Sequence, residues 1–160
     1  GQSYSIIEGI KKSNNEIIVT IDGDGQNNPK DIVTLLDNYI SGNYGLVSGI
    51  RLNRKDSFIK IISSRIANFV RAKYLNDDCI DTGCSLKVFS KEAFLSFPYF
   101  DGIHRFLPAL FKGFGYKVLF IDVDHRNRIG GKSKYGTFKR LFKGVHDMRQ
   151  VKKILKKKLT

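Results

Sequence analysis

Long hydrophobic runs, cysteine and tryptophan are scarce or absent in this sequence of 160 residues. It contains no Trp, one Met, three Pro and two Cys. No stretch approaches the roughly 20 apolar residues that a membrane-spanning helix needs. Two cysteines, Cys79 and Cys84, cannot build a disulfide framework, and we expect two buried thiols in a reducing compartment. With 41% hydrophobic residues, the sequence predicts a globular domain with its own core.

Acidic residues are nearly missing from the C-terminal part of the chain. Residues 1–124 contain 15 Lys and Arg against 14 Asp and Glu, whereas residues 125–160 contain 13 Lys and Arg against Asp147 alone. Nearly all of the net charge of +13 therefore belongs to the last 36 residues. A segment of this kind favours phosphates, whether on nucleic acid, on a lipid surface or on a phosphorylated substrate.

Apolar periodicity predicts alternating helices and strands, which is typical of a layered α/β domain. Strands are predicted over residues 16–21, 45–49, 84–89 and 116–123. Helices are predicted over residues 3–13, from Asn28-Pro29 onward, over 57–74, over 105–114 and from Tyr135 onward. In the helix over 57–74 we expect one stripe to lie in the core: Ile59, Ile62, Ile66, Phe69 and Val70. The last helix is predicted to be basic and amphipathic, with one apolar face: Phe138, Leu141, Phe142, Val145 and Met148.

Two acids follow the first predicted strand in the stretch IVTIDGDGQNNPKDI. Ligands of α/β sheets bind at the carboxyl ends of strands. A turn at Gly23 would let Asp22 and Asp24 converge, and a divalent cation would relieve their repulsion. With Gln26 they offer hard oxygen ligands, which suit Mg²⁺ or Mn²⁺. The alternative is a solvated acidic turn or a helix cap. An EF-hand is excluded because Asn27 stands where that loop requires Gly.

Cationic side chains follow in IGGKSKYG and nearby. This stretch lacks the earlier glycine of a P-loop, but its glycines and cations can still bind a phosphate. Arg51 follows the second predicted strand. Asp81 precedes the third, either as a helper carboxylate or as a turn former. A lone histidine such as His104 is expected to be structural.

Together, IIVTIDGDGQNNPKDI, LVSGIRLNRKD, ISSRIANFVR, DTGCSLKVF and HRNRIGGKSKYG resemble the family 2 glycosyltransferases that act on polyprenyl phosphates. The resemblance implies an α/β, three-layer, Rossmann-like GT-A fold over residues 1–134. It also implies inverting transfer of a sugar from GDP-mannose or a UDP-sugar to a polyprenyl phosphate. Residues 135–160 are then expected to form a basic amphipathic helix at an anionic membrane surface. We expect a peripheral position on the cytoplasmic face of a membrane, such as the bacterial inner membrane, and no nucleic-acid partner.

By position, the resemblance assigns Asp22 and Asp24 to the family's DxD pair and Gln26 to the glutamine that follows it. These residues are expected to hold Mg²⁺ or Mn²⁺. It implies catalytic roles for Asp24 and Asp81. It implies binding of donor or acceptor phosphates by a cationic set: Arg51, Arg65, Arg128, Lys132, Ser133 and Lys134.

The motifs that open the family's catalytic domain, P-x-Y/F-N-E and DD-x-S, do not occur in the sequence. We therefore expect a catalytic domain that is incomplete at its N-terminus, and no turnover by this chain alone. Two alternatives stay open. A transferase of the same fold could use a sugar hydroxyl or a lipid headgroup as acceptor, with Asp81 as the candidate general base. A non-enzymatic module could bind membranes or nucleic acid through its basic tail.

Overall fold

The computed structural model describes residues 1–51, 58–126 and 137–158, and of residues 58–60 and 137–142 only the helical backbone. In these ranges it has six α-helices, four strands and one 3-10 helix. The helices are α1 (Gln2–Lys12), α2 (Asp31–Gly42), α3 (Phe58–Leu75), α4 (Lys91–Leu95), α5 (Leu107–Gly113) and α6 (Thr137–Lys158). The strands are β1 (Ile17–Thr20), β2 (Leu46–Arg51), β3 (Lys87–Ser90) and β4 (Val118–Val123), and the 3-10 helix covers Ile103–Arg105.

The strands form one mixed sheet in the order β1-β3-β2-β4. Strand β3 is antiparallel to β1 and β2, with Val88 opposite both Val19 and Val47. Strand β4 is parallel to β2. The carboxyl ends of β1, β2 and β4 therefore meet the start of β3 at one edge of the sheet. We call this the polar edge, formed by residues 20–27, 51, 81–87 and 123–126.

Hydrophobic side chains pack on both faces of the sheet, because inward and outward residues alternate along each strand. On one face, Ile18, Leu46 and Phe89 contact side chains of α1, α4, α5 and α6. On the other face, Val47 and Val88 contact α2 through Leu35. The predicted three-layer α/β arrangement is confirmed. Both cysteines are buried and unbridged, as predicted.

Helix α2 begins later than the Asn28-Pro29 signal predicts. Residues 28–30 form a turn, in which Asn28 Oδ1 accepts a hydrogen bond from the Lys30 amide at 3.2 Å. The amide of Asp31 donates to the Asn28 carbonyl at 3.1 Å, and the helix starts there. Asn28 caps a turn that leads into the helix, so the signal is real but lies two residues early.

Helix α3 contradicts its prediction, because its apolar stripe is exposed. Ile66 and Phe69 are 61% and 70% exposed, and Ile62 and Val70 are also exposed. The side chain of Ile59 lies outside the described residues. The inward side instead carries Asn68, Arg71 and Leu75, all buried.

The physical reason is that the polar side chains of α3 find partners inside. Asn68 Nδ2 donates to the Ile80 carbonyl at 2.8 Å, and Asn68 Oδ1 accepts from Thr82 Oγ1 at 2.9 Å. Arg71 donates to both oxygens of Asp77 and to the Cys79 carbonyl. Buried polar groups of this kind are stable only with such partners, and the loop 76–82 supplies them.

Helix α6 directs Met148 and the apolar residues that follow it at the core, whereas Val145, also predicted on the apolar face, is 36% exposed. Val151 is fully buried, and Met148, Ile154 and Leu155 pack against the same cluster as Phe89. Met148 is thus a core residue, whereas it was predicted to lie on a membrane-facing side. The side chains of Phe138, Leu141 and Phe142 lie outside the described residues, as does the predicted boundary at 134. In the described part of the chain, no helix combines the length and the apolar character that crossing a bilayer requires.

Candidate functional site

The acidic turn after β1 lies at the polar edge. Asp22 and Asp24 are both half-buried. The Asp22 amide donates to Ser85 Oγ at 3.0 Å, and Asp24 Oδ1 accepts from the Gln26 amide at 3.1 Å. The chain adopts a left-handed conformation at Gly25, with φ of 77°, which glycine tolerates without strain. The residue that allows this reversal is therefore Gly25 and not Gly23.

Hydrogen bonds from two other segments clamp this turn. Ser85 Oγ donates to Asn27 Oδ1 at 2.9 Å, and Thr20 Oγ1 donates to the Ser85 carbonyl at 2.7 Å. Asn27 also forms a β-bridge with His125, and both are buried. Ser85, Asn27 and His125 were not predicted as site residues from the sequence. In the sequence, each of them is only a polar residue near the end of a predicted strand. Many turns contain such a residue, so the pattern does not identify a site.

The segment after β4 is joined to the same turn. The Arg126 amide donates to the Gln26 carbonyl at 2.9 Å, and Gln26 Nε2 donates to the Arg126 carbonyl at 3.4 Å. Gln26, which follows the two acids, and the first arginine after β4 are therefore held side by side, although 100 residues separate them in sequence.

Arg51 and Asp81, which the sequence assigned to separate roles, form one ion pair. Arg51 donates from Nε to Asp81 Oδ2 and from Nη2 to Oδ1, both at 2.8 Å. Asp81 also accepts from the amides of Arg51 and Gly83, each at 3.1 Å. A Cβ on Gly83 would lie 2.5 Å from Arg51 Nη2, so only glycine leaves room for the guanidinium. This bidentate geometry fixes the orientation of Arg51 at the carboxyl end of β2.

Helix α3 supports this ion pair from behind. Its buried Asn68 binds residues on both sides of Asp81, namely Ile80 and Thr82. Its buried Arg71 holds the preceding part of the loop through Asp77. The polar side of α3 therefore positions the loop that positions Arg51.

A buried lysine, which was not predicted from the sequence, lies beneath the polar edge. Lys87 in β3 is opposite Thr20 of β1 and Ser48 of β2, and its Nζ donates to the Cys84 carbonyl. Burial lowers the pKa of Lys87, and the nearby charges of Asp81 and Asp22 oppose that shift. The signal was a lysine at an inward position of the alternating stretch CSLKVF. From the sequence, that stretch predicts only a strand.

The donor atoms at the acidic turn fit a hard divalent cation. Two carboxylates, from Asp22 and Asp24, and the side-chain amide of Gln26 offer oxygen ligands of the kind that Mg²⁺ and Mn²⁺ prefer. Within residues 1–51, 58–126 and 137–158, no group of three or more His, Cys, Asp or Glu gathers into a larger metal centre. Two acids are typical of a cation that also binds the phosphates of a substrate.

The remaining predicted site residues are Arg65, Arg128, Lys132, Ser133 and Lys134. Arg65 is exposed on α3. Arg128, Lys132, Ser133 and Lys134 lie outside the described residues.

His104 lies away from the acidic turn and has a structural contact. Its Nδ1 is 2.8 Å from the hydroxyl of the fully buried Ser3 in α1. That hydroxyl also accepts a hydrogen bond from the Gly102 amide at 2.8 Å. Burial, with a contribution from the Arg105 charge, lowers the pKa of His104 to about 4. The imidazole is therefore neutral at pH 7.

A family model described as Glycosyl transferase family 2 matches residues 1–96. The chain is 33% identical over 154 residues to a dodecaprenyl-phosphate galacturonate synthase from Rhizobium johnstonii. It is 30% identical over 148 residues to an undecaprenyl-phosphate 4-deoxy-4-formamido-L-arabinose transferase from Pectobacterium atrosepticum. The alignments cover 94% and 92% of this chain but only 45% of each relative. The chain thus spans about half the length of these relatives.

Solved structures show the same fold at low sequence identity. Glucosyl-3-phosphoglycerate synthase from Mycobacterium tuberculosis aligns with a TM-score of 0.66 and 14% identity, over 92% of this chain and 55% of that one. Its complex with Mn²⁺, uridine-diphosphate-glucose and glycerol 3-phosphate aligns with a TM-score of 0.60 and 19% identity, over 94% of this chain and 52% of that one.

Proposed function

Because the chain belongs to glycosyl transferase family 2, we propose that it contributes the acidic turn and phosphate-binding side chains of a sugar transferase. The donor is a nucleoside-diphosphate sugar, such as GDP-mannose or a UDP-sugar. The acceptor is a polyprenyl phosphate at the cytoplasmic face of a membrane. The names of two relatives support the acceptor, since both include a polyprenyl phosphate.

One observation carries this proposal: the acidic turn and the Arg51–Asp81 pair lie at the same edge of the sheet. In transfer, an acceptor oxygen attacks the anomeric carbon, the bond to the diphosphate breaks, and the nucleoside diphosphate leaves with an added negative charge. Asp22, Asp24 and Gln26 would hold Mg²⁺ or Mn²⁺, which supplies positive charge to stabilise that leaving group. Arg51 presents a second, oriented positive charge at the edge where the diphosphate would lie.

The state of Asp81 favours a phosphate acceptor over a sugar hydroxyl. A hydroxyl acceptor needs a general base, whereas a phosphate oxygen is already ionised at neutral pH. Asp81 was the only candidate base. Its carboxylate accepts four hydrogen bonds from Arg51 and Gly83, and this environment stabilises it as an anion that orients Arg51. We therefore assign Asp81 a positioning role. We propose that Arg65, Arg128, Lys132, Ser133 and Lys134 bind the donor and acceptor phosphates.

The test is transfer of labelled sugar from UDP-sugars or GDP-mannose to undecaprenyl phosphate in detergent micelles. The enzyme is this chain and, in parallel, the product of the whole reading frame that encodes it. Asp24→Asn should lower kcat by roughly 100-fold or more, the scale seen when a group that stabilises transition-state charge is removed. The chelator EDTA should abolish transfer, and Mn²⁺ or Mg²⁺ should restore it.

Asp37→Asn is the matched control, because it makes the same charge change at an exposed position of α2. Its activity should equal that of the wild type. Full transfer by Asp24→Asn, or in excess EDTA, would overturn the proposal. Absence of any transfer, with binding to membranes or nucleic acid retained, would favour the non-enzymatic module that binds through its basic tail.

A further inference from the structure

Helix α3 presents a continuous apolar surface to solvent. It consists of five exposed side chains, which we call the α3 apolar face: Ile62, Ile66, Phe69, Val70 and Tyr74. Their spacing of three, four and eight residues places them on one side of the helix. Single exposed apolar residues are normal on a protein surface, but a contiguous set marks a contact surface.

The α3 apolar face cannot be buried by a rotation of the helix. The opposite side of the same helix is already bound to the protein through the hydrogen bonds of Asn68 and the ion pair of Arg71. Rotating α3 to bury Phe69 and Ile66 would expose these contacts and leave the Asp77 carboxylate without its arginine. The fold therefore holds the apolar side outward.

Positive charges border the α3 apolar face. Lys73 is exposed on the same side of the helix, and Arg65 is exposed at its rim. At the far end, Lys152 of α6 donates to the Tyr74 carbonyl at 3.1 Å and lies 5.5 Å from the centre of its ring. Three further exposed lysines follow Lys152 on the same side of α6, Lys153, Lys156 and Lys157, whereas Lys158 Nζ lies 4.6 Å from the centre of the Phe114 ring.

We propose that the α3 apolar face, together with the lysines of α6, docks the protein onto an anionic lipid bilayer. Apolar side chains bordered by Lys and Arg, with a tyrosine at the margin, match the interface between acyl chains and negatively charged headgroups. Charge complementarity favours this partner, because an anionic bilayer combines apolar acyl chains with negatively charged headgroups. The membrane contact thus includes α3, the helix that was expected to be core, and the lysines of α6 from Lys152 onward contribute charge.

This inference deepens the proposed function, on which it rests for the identity of the acceptor. The inner side of α3 holds the loop that carries Asp81, which in turn orients Arg51. One helix therefore joins the bilayer surface to the polar edge, and a lipid-borne phosphate would reach the site along it.

The test is co-sedimentation of the purified chain with vesicles, without any sugar donor. Phosphatidylcholine vesicles that contain phosphatidylglycerol are compared with vesicles of phosphatidylcholine alone. The chain should bind the anionic vesicles, and binding should weaken with salt. Phe69→Ser and Ile66→Ser should each weaken partitioning by roughly tenfold, because each removes a large apolar side chain from the contact.

The matched controls are Val33→Ser and Ile40→Ser. These residues are exposed to a similar degree, 61% and 66%, but lie on α2, which covers the opposite face of the sheet. Circular dichroism and urea unfolding check that all four variants fold.

Equal binding by the α3 and α2 variants would overturn the inference. So would a monomer–dimer equilibrium in sedimentation velocity that Phe69→Ser abolishes, since a second copy would then occupy the face. Absence of vesicle binding, with metal-dependent transfer to a soluble short-chain polyprenyl phosphate intact, would overturn the docking surface and leave the proposed function standing.

Discussion

Helices α3 and α6 are both amphipathic in sequence, yet the fold orients them in opposite ways. Helix α3 turns polar Asn68 and Arg71 inward and leaves Phe69 exposed, whereas α6 buries Val151 and exposes its lysines. From periodicity alone, the apolar side of α3 was expected in the core and that of α6 at a membrane. A period of 3.6 residues therefore shows that a helix has two sides, but it does not identify the neighbour of either side.

Buried polar partners make the difference. Arg71 is inward because Asp77 and the Cys79 carbonyl lie within hydrogen-bonding distance. In α6, the single acid Asp147 is buried and forms an ion pair with Arg105 at 2.8 Å, next to an otherwise apolar contact with the core. The orientation of each helix can be tested by substituting one inward and one outward side chain and comparing the changes in unfolding free energy.

The largest effect is expected from Arg71→Met on the inner side of α3. The substitution leaves the Asp77 carboxylate buried without its partner, which should reduce the free energy of unfolding by about 3–5 kcal/mol. Lys73→Met, two residues away on the exposed side, should change it by less than about 0.5 kcal/mol. Urea denaturation measures both. Similar losses in the two variants would show that the orientation assigned to α3 is wrong.

A pH titration tests the inward-facing polar group His104 in the same way. Its pKa is about 4 in the folded protein and 6.5 in the unfolded chain, so between these values the unfolded state binds more protons. The stabilisation is therefore complete above pH 6.5 and is lost as the pH falls towards 4. It amounts to about 3 kcal/mol at most.

The measurement is the difference in unfolding free energy between wild type and His104→Gln across that range. Subtracting the variant removes the contribution of carboxylates that titrate in the same interval. A difference that does not change with pH would contradict the assigned burial of the ring.

The smallest difference is expected from one pair of identical substitutions on the two helices. Val151→Ala in α6 removes methyl groups from a fully buried site and should cost about 2 kcal/mol of unfolding free energy. Val70→Ala in α3 removes them from a site that is 53% exposed and should change the unfolding free energy by less than about 0.5 kcal/mol. Urea unfolding of both variants measures the two losses of unfolding free energy. Equal losses would show that the two valines have equivalent surroundings, which would contradict the assigned orientations.

Much of the polar edge was readable from the sequence. The run Ile18-Val19-Thr20 predicts a strand, and a strand followed by Asp22 and Asp24 predicts a polar edge because carboxyl ends of parallel strands meet there. Arg51 was predicted by the same rule. The family was recognisable from the order of the motifs, and the match to residues 1–96 confirms it. The roles of the individual site residues stay predictions.

Pairings across long sequence separations could not be predicted. That Asp81 holds Arg51, that Ser85 holds the amide of Asp22, and that Lys87 lies buried beneath them depend on β3 inserting between β1 and β2. Local patterns carry no information on strand order.

The sequence by itself determined the alternation of helices and strands, the place of the acids at a strand end, and the concentration of positive charge after residue 124. These follow from local periodicity and composition. Only the tertiary structure decided which side of α3 faces the protein. The orientation depends on two free energies: the gain from burying Phe69, and the cost of separating Arg71 from Asp77. A buried charge without its partner costs more than an exposed ring, and so the ring is outside.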